Sequence, residues 1–187
     1  MSQFTALFDA CVLYPAPLRD LLMELALTDL FRAKWTNEIH DEWIRNLLKN
    51  RPDLTLERLQ ITRDKMNLHI QDSLVENYQS LIPSLTLSDQ NDRHVLAAAI
   101  CARADVIITF NLSDFPPESL EIYGIEAQHP DEFISHLIDL APPLVYKAIQ
   151  EIQTRLKNPP RTINELLTTY ENLGLIKTVA ALRFYIS

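Results

Sequence analysis

Acidic and amide side chains occur at separate places in the chain where the sequence pattern changes. Asp9 directly follows a short apolar run, Glu42 lies within an amphipathic segment, and Asp92 precedes an alanine-rich segment. Asn111 and Asp114 follow a second apolar run that is rich in β-branched residues. Mg²⁺ prefers oxygen ligands and usually keeps several waters. Gathered around one cleft, these groups would hold Mg²⁺ or Mn²⁺, ions that activate water and stabilise charge on a phosphodiester.

Each of these positions also has an ordinary structural explanation. Asp9 fits a turn residue at a strand end, although a carboxylate directly after a buried run is costly unless it is paired or metal-bound. Asp92 fits the first turn of a helix, where the helix dipole favours an acid, with Asp89 as N-cap. A loop or capping role is the alternative for Asn111 and for Asp114.

Three carboxylates lie in the first half of the helix predicted over 38–50. They are Glu38, Asp41 and Glu42. Their helical spacing does not choose which of them faces a site.

The elements that must position these groups alternate between strands and helices. We predict strands at Phe4–Phe8, Lys34–Thr36, Val106–Thr109 and 125–128. We predict helices over 18–31, 38–50, 55–69, 72–80 and 88–104. Thr36 or Asn37 is the predicted N-cap of the second helix and Thr55 that of the third. Residues 81–87 are predicted to be a connection of strand character. This order predicts an α/β fold of three layers, α/β/α, with a mostly parallel sheet. Ligands bind beyond the carboxyl ends of such strands, which is where Asp9 and Asn111 fall.

The chain changes character after residue 130. Residues 131–187 read as helices over 131–140, 143–156 and 163–173, with a fourth over 175–186. Their carboxylates are scattered as on ordinary polar helix faces. We therefore expect an α/β domain over 1–130 and a helical C-terminal region over 131–187 that serves packing or a partner.

Composition narrows the classes of function. With 17 Lys and Arg against 25 Asp and Glu, the net charge of −8 argues against a surface that tracks nucleic acid over its whole extent. Two glycines and no GxGxxG or GxxxxGK[ST] motif argue against nucleotide-cradling loops. Cys11 and Cys101 carry no disulfide signal, and we expect both to be small core residues. We expect Trp35 and Trp43 to be large core residues. Without an export signal or a long apolar run, a cytoplasmic location is the expectation.

Three segments together resemble the PIN domain, in particular its VapC-like toxin ribonuclease branch. They read LFDACVLYPAPLRDLL, TNEIHDEW and DQNDRHVLAAAICARADVIITFNLSDFP. The resemblance covers about residues 4 to 130. The third segment is the most specific, because an acid opens an alanine-rich helix that leads to an apolar strand and a Thr-x-Asn turn. The residues that follow look like the helical C-terminal region of some of these proteins.

The resemblance implies a set of site residues. Asp9, Glu42 and Asp92 map onto the family's catalytic, metal-binding acids. A fourth acid is common where this chain has Asn111, and Asp114 could substitute for it. Where the family often has Asn, Ser or Thr two residues after the first acid, this chain has Cys11. Both departures bear on how many metals bind.

The resemblance also implies what the protein does. We expect an endoribonuclease that depends on Mg²⁺ or Mn²⁺, acts as a toxin, forms a homodimer and is neutralised by an antitoxin protein. We expect products with 5′-phosphate and 3′-hydroxyl ends. Arg19, Arg93 and His94 are candidates to contact RNA phosphates, with an exposed helix face or an ion pair as the alternative. Thr109 is a candidate to hydrogen-bond a site carboxylate or water.

Two other functions fit parts of the pattern. The neutral Asn111 favours a catalytically impaired PIN-fold protein that acts by binding a partner or RNA. A receiver-like phosphoryl-transfer domain needs paired acids near the first strand, and Asp9-Ala10-Cys11 does not supply them. We rank the receiver-like function last.

Overall fold

Four parallel strands form the centre of the protein. The structure is a computed structural model that describes residues 4–186. The strands are β1 (Thr5–Phe8), β2 (Arg32–Lys34), β3 (Val106–Ile108) and β4 (Glu126–Gln128), and they lie in the order β2-β1-β3-β4. In the central pair, Leu7 lies opposite Ile107. The predicted α/β fold with a parallel sheet is confirmed.

Helices connect and cover the strands. Those of the first part are α1 (Ala10–Leu13), α2 (Ala16–Ala26), α3 (Asn37–Asn50), α4 (Leu56–His69), α5 (Arg93–Cys101) and α6 (Pro117–Leu120). Those that follow are α7 (Pro130–Leu140), α8 (Pro142–Arg155), α9 (Ile163–Asn172) and α10 (Ile176–Ile186). Short 3₁₀ turns cover Gln79–Ser84, Gln90–Asp92, Leu112–Asp114 and Glu121–Tyr123. Between residues 4 and 186, no helix is both long and apolar enough to cross a membrane.

The predicted helix starts are confirmed where a side chain caps them. The Thr36 hydroxyl accepts a hydrogen bond from the backbone N of Ile39 at 3.0 Å, and Thr55 caps α4 in the same way. Such a cap satisfies one of the backbone donors that a helix start leaves free. Because the caps are local in sequence, α3 and α4 begin close to where the pattern predicts.

The predicted structure of the segment 72–87 is wrong. Instead of a helix followed by strand-like residues, the chain runs beside Trp35, which donates its backbone N–H to Ser73 O at 3.0 Å and accepts from Val75 N at 2.8 Å. Asp72 and Asn77 adopt positive φ values of 56° and 62°, which interrupt a helix. Pairing with a residue far away in sequence therefore replaces the local helix.

Smaller boundaries also differ from the prediction. The helix α2 ends at Ala26 rather than near Phe31, because the chain turns at Asp29, with φ of 60°, to enter β2. The strand β2 ends at Lys34, whereas the prediction placed it over Lys34–Thr36.

Aromatic side chains join the sheet to the helices that follow it. Phe133 of α7 packs edge-on against Phe31, with ring centroids 5.0 Å apart, and also against Phe4 and Phe8. Trp35 and Trp43 are fully buried, as predicted. Cys101 is exposed, so its predicted place in the core is wrong: it ends α5 at the surface, where its thiol lies 3.4 Å from Glu76 O.

Candidate functional site

Asp9 lies at the carboxyl end of β1 and caps the short helix α1. Its Oδ1 accepts a hydrogen bond from Ala10 N at 2.7 Å, and its Oδ2 accepts one from the Thr109 hydroxyl at 2.8 Å. The side chain is 5% exposed. Burial raises the pKa of Asp9. The hydrogen bonds from Thr109, Cys11 and Ala10 oppose this shift, and the charge of Glu42 adds to it. This carboxylate is held in a fixed orientation in a setting that disfavours its charge.

Thr109 and Cys11 connect the loops that follow β1 and β3. The Thr109 hydroxyl donates to Asp9 and accepts from Asn111 N at 3.0 Å, which is the contact with a site carboxylate that the sequence predicts. The Cys11 thiol lies 3.3 Å from both the Asp9 carboxylate and the Thr109 hydroxyl, and it accepts from Phe110 N. Burial, followed by the charge of Asp9, raises the pKa of Cys11 to about 12, so the group is a neutral thiol.

Asp92 lies at the head of α5, half-buried and facing the same region. Burial raises its pKa to about 6, and the charges of Asp9, Asp114, Asp89 and Glu42 add to this, in that order. The charge on Asp92 at the start of α5 is therefore disfavoured by carboxylates that follow β1 and β3 and by one from α3. Such mutual repulsion is relieved when a cation binds among the carboxylates.

Glu42 is the α3 carboxylate whose charge acts on both Asp9 and Asp92. Its Oε2 lies 3.6 Å from Nε2 of His94. The charge of Asp41 instead contributes to the pKa shifts of His40 and Tyr78. Three-dimensional placement thus favours Glu42 over Asp41, a choice that helical spacing leaves open.

His94 lies between two carboxylates of α3. Its Nδ1 is 3.7 Å from Glu38 and its Nε2 is 3.6 Å from Glu42, and the residue is only 8% exposed. Burial by itself would lower the pKa of His94, but Glu42 and Glu38 outweigh it and hold the pKa above its ordinary value. His94 therefore contacts the acids of the site, which is the ion pair that we gave as the alternative to phosphate contact.

Asn111 and Asp114, the two candidates for the fourth metal ligand, lie in different surroundings. The Asn111 side chain is exposed, and its backbone N–H is the group that meets Thr109. Asp114 is half-buried in the turn that follows, and after Asp9 its charge acts most strongly on Asp92. Electrostatics favours Asp114 as the fourth carboxylate.

The two arginines lie in different surroundings. Arg93 opens α5 beside Asp92 and donates from Nε to Gln90 O at 3.3 Å. Arg19 is 6% exposed, donates from Nη1 to Leu13 O at 2.7 Å and lies over the Trp43 ring at 4.6 Å. Arg93 remains beside the acids, whereas Arg19 does not face them.

The oxygen donors fit a hard divalent ion in type, although they do not form a closed ligand set. Between residues 4 and 186, no group of three or more His, Cys, Asp or Glu side chains is arranged to hold a metal ion directly. Mg²⁺ keeps several waters, so one or two carboxylates can bind it directly while others bind its waters. Asp9, with two hydrogen-bonded oxygens and a pKa raised by burial, is the innermost of these donors.

Two further groups of the site are Glu38, which helical spacing leaves undecided beside Asp41 and Glu42, and Tyr78, which the sequence does not single out. Glu38 approaches His94, and it also accepts a hydrogen bond from the Tyr78 hydroxyl at 3.0 Å. The spacing of Glu38 and Glu42, one helical turn apart, is the feature that would have found the pair around His94. Tyr78 comes from the segment 72–87, whose structure the pattern does not predict.

Two family models match separate parts of the chain. Residues 5–113 match the family model described as PIN domain. The chain belongs to the PIN domain family. Residues 130–184 match the model described as VapC50 C-terminal domain. The resemblance to a VapC-like PIN protein with a helical C-terminal region is confirmed, and four of the five candidate ligands lie inside the PIN match.

A curated relative supports this assignment. The chain is 40% identical over 90 residues to "Putative ribonuclease VapC50" of Mycobacterium tuberculosis (strain ATCC 25618 / H37Rv). The match covers 48% of this chain and 53% of the relative, so the chain spans about half the length of the curated relative it matches. No solved structure matches the chain.

Proposed function

We propose that this PIN protein is an endoribonuclease that depends on Mg²⁺ or Mn²⁺. The observation that carries the proposal is that acids from separate parts of the chain converge: Thr109 joins Asp9 to the end of β3 at 2.8 Å, and His94, two residues after Asp92, lies 3.6 Å from Glu42. A cluster of partly buried acids disfavours its own charge unless a cation lies among them. Retaining such a cluster at the carboxyl edge of a parallel sheet favours a metal-dependent site.

The roles of the residues follow from their contacts. Asp9, Glu42 and Asp92, with Asp114 as the fourth, would hold the ion, which when bound activates water and stabilises the charge that develops on the phosphodiester. Thr109 orients Asp9 through its hydroxyl. His94 balances the charges of Glu38 and Glu42. Arg93, next to Asp92, would contact a phosphate of the RNA.

Two substitutions test the proposed catalysis. We expect Asp9→Asn and Asp92→Asn to reduce cleavage of single-stranded RNA in Mn²⁺ or Mg²⁺ to the level of a sample without protein, because each removes a charge from the ion's site. Asp139→Asn, an equal change at an exposed position on α7, is the matched control and should cleave like the wild type. Circular dichroism confirms that each variant is folded. Equal cleavage by the wild type and by both site variants would contradict the proposal.

The ends of the products test the reaction itself. Attack of water on the phosphodiester leaves a 5′-phosphate and a 3′-hydroxyl. Labelling of the product ends distinguishes these from a 2′,3′-cyclic phosphate, which forms when the 2′-hydroxyl of the RNA attacks instead. A cyclic phosphate product would exclude the proposed reaction.

A non-catalytic binding protein is the second candidate function. The neutral Asn111 and the lack of a closed ligand set between residues 4 and 186 favour it. Calorimetry with Mn²⁺ or Mg²⁺ at millimolar concentration separates the two functions. Binding that is lost in Asp9→Asn supports the nuclease, and RNA binding by a wild type that binds no metal supports the alternative.

We also propose that the protein is the toxin of a type II toxin–antitoxin pair and forms a homodimer. The similarity to a VapC50 C-terminal domain and the relative named "Putative ribonuclease VapC50" support the toxin assignment. The net charge of −8 suits a basic segment of an antitoxin that enters the acidic site. Co-expression with the product of a short neighbouring gene should restore growth that the protein alone arrests, and light scattering on the purified protein measures the dimer.

A further inference from the structure

A cavity of about 400 Å³ lies apart from the carboxylates, among the ends of α1 and α3 and the starts of α2 and α4. We call it the arginine pocket, because Arg19, Arg51 and Arg58 line it together with Tyr14 and Leu59. None of its lining residues is acidic. In a chain with a net charge of −8, three arginines without an acid in one cavity point to an anionic ligand.

Arg19 forms the buried part of the arginine pocket. Its Nη1 donates to Leu13 O at 2.7 Å, and its guanidinium lies over the ring of Trp43. Its Nε is buried and has no hydrogen-bond partner among residues 4–186. Burial lowers the pKa of Arg19 and the charge of Asp20 opposes this shift, so an anion in the pocket would add to the stabilisation of its charge.

Arg51 and Arg58 form the exposed rim of the pocket. Arg51 makes a two-bond ion pair with Asp53, at 2.8 and 2.7 Å, and Asp53 does not line the pocket. Arg58 lies in the first turn of α4, a helix of 14 residues, where the helix dipole also favours an anion. Guanidinium groups bind phosphate with two parallel hydrogen bonds, which makes them well suited to this ligand.

Two helices lead from the carboxylates to the arginine pocket. Asp9 and Tyr14 lie at the two ends of α1, about 8 Å apart by the rise of a helix. Along α3, Glu42 and Arg51 are separated by about 14 Å on the same measure. A single strand whose phosphodiester lies at Asp9 can therefore reach the pocket within a few nucleotides.

We infer that the arginine pocket binds a nucleotide of the RNA substrate that flanks the cleaved bond. This inference rests on the proposed ribonuclease function. Arg51 and Arg58 contact its phosphate, with Arg19 contributing charge from beneath. The ring of Tyr14 and the apolar walls accept the base, as aromatic side chains do in proteins that bind single strands.

RNA affinity tests the inference separately from cleavage. In an Asp9→Asn background, the anisotropy of a labelled 12-nucleotide single-stranded RNA is measured over a range of salt concentrations. We expect Arg58→Gln to weaken binding about 5-fold at 0.1 M salt and to reduce the slope of log affinity against log salt by about 0.7. We expect Tyr14→Leu to weaken it at least about 5-fold with an unchanged slope, because stacking involves no counterion.

Two further variants make the test specific to the pocket. Arg103→Gln removes the same charge at an exposed site just before β3, at the opposite edge of the sheet from Asp9, and should change neither affinity nor slope. Asp53→Asn frees Arg51 and should tighten binding. Arg58 and Asp53 are exposed, so these changes leave the fold intact, which thermal melting confirms.

The outcomes for the pocket and for the nuclease are distinguishable. If the wild type cleaves RNA while Arg58→Gln and Arg103→Gln bind it equally, the pocket inference is wrong and the proposed function stands. If the pocket variants lose affinity for an acidic peptide but not for RNA, the pocket is a protein site and the inference is also wrong. A wild type that neither cleaves nor binds RNA overturns the proposed function and this inference with it.

Discussion

At the scale of single residues, the Thr109 hydroxyl connects the two strand ends that form the site. It donates to the Asp9 carboxylate at 2.8 Å and accepts from Asn111 N at 3.0 Å. Both bonds are buried or nearly so, and Thr109 is fully buried. One hydroxyl therefore fixes the innermost carboxylate and the start of the loop that carries Asp114.

We predict that Thr109→Val lowers the rate of RNA cleavage by about 10- to 100-fold, which is the usual effect of losing a group that orients a metal ligand. Valine has the shape of threonine but leaves the Asp9 oxygen and the Asn111 N–H without this partner. Thr109→Ser keeps the hydroxyl and is the matched control, expected to keep most of the activity. Cleavage assays in Mn²⁺ measure both variants, and full activity of the valine variant would show that the hydroxyl does not orient Asp9 for catalysis.

The two cysteines are predicted to differ in reactivity. Alkylation requires the thiolate, and the pKa of Cys11 is raised to about 12, whereas Cys101 is exposed at the end of α5. We expect iodoacetamide at pH 8 to label Cys101 in the native protein and leave Cys11 unmodified. Peptide mass spectrometry after a short reaction measures this, with the urea-unfolded protein, labelled at both positions, as control. Equal native labelling would mean that Cys11 is not held as a neutral thiol.

Sequence identified some of these residues for a physical reason. Asp9 could be found because a carboxylate next to a buried run needs a partner, and its partners are the Ala10 N–H and the Thr109 hydroxyl. The surroundings of Arg19 could not be found, because helical spacing does not tell which neighbours a long side chain reaches. Its partners, Leu13 O and the Trp43 ring, depend on how α2 lies against α1 and α3.

At the scale of elements, a chain of side-chain hydrogen bonds joins α3 to α4. Trp43 donates from Nε1 to Nδ1 of His40 at 3.0 Å, so the proton of the neutral ring is on Nε2, which lies 3.0 Å from Asn67 Oδ1. Trp35 donates to the same oxygen at 2.8 Å. Burial, helped by the charge of Arg63 and opposed by the hydrogen bond to Asn67, lowers the pKa of His40 to about 4.

We predict that this network weakens in acid. A pKa lowered from 6.5 to about 4 means that the folded state favours neutral His40. Its contribution is complete above pH 6.5 and is lost as the pH falls towards 4, by up to about 3 kcal/mol. Urea unfolding at pH 7 and at pH 4.5 should show that the wild type loses more stability than His40→Asn, which keeps an acceptor near Trp43 but does not titrate. An equal loss in both proteins would exclude His40 as the cause.

The sequence predicts elements well where their signals are local. Thr36 and Thr55 mark the starts of α3 and α4 because a cap needs only the next three residues. The segment 72–87 has no such signal, since its backbone pairs with Trp35. Its neighbourhood, and with it the place of Tyr78 beside Glu38, becomes visible only in three dimensions.

At the scale of the whole molecule, the helices after residue 130 complete the core of the sheet. Phe133 is 1% exposed and contacts three aromatic side chains from the first part of the chain. Asp131 joins α7 to α10, because its two carboxylate oxygens accept from Lys177 N at 2.9 Å and Thr178 N at 2.8 Å. The division between 1–130 and 131–187 stays a prediction, but packing across it is continuous.

We therefore predict that the protein unfolds as one unit and that Phe133→Ala destabilises all of it. Removing a buried phenylalanine costs about 3–5 kcal/mol. Urea unfolding is followed by tryptophan fluorescence, which reports Trp35 and Trp43 in the first part, and by far-ultraviolet circular dichroism, which reports every helix. Both transitions should shift to lower urea together. Leu140→Ala at the end of α7, where the residue is 65% exposed, is the control and should change stability by less than about 0.5 kcal/mol. If the tryptophan transition stays in place while only part of the helical signal is lost early, the C-terminal helices form a separate folding unit, and the aromatic contacts of Phe133 do not hold the sheet together.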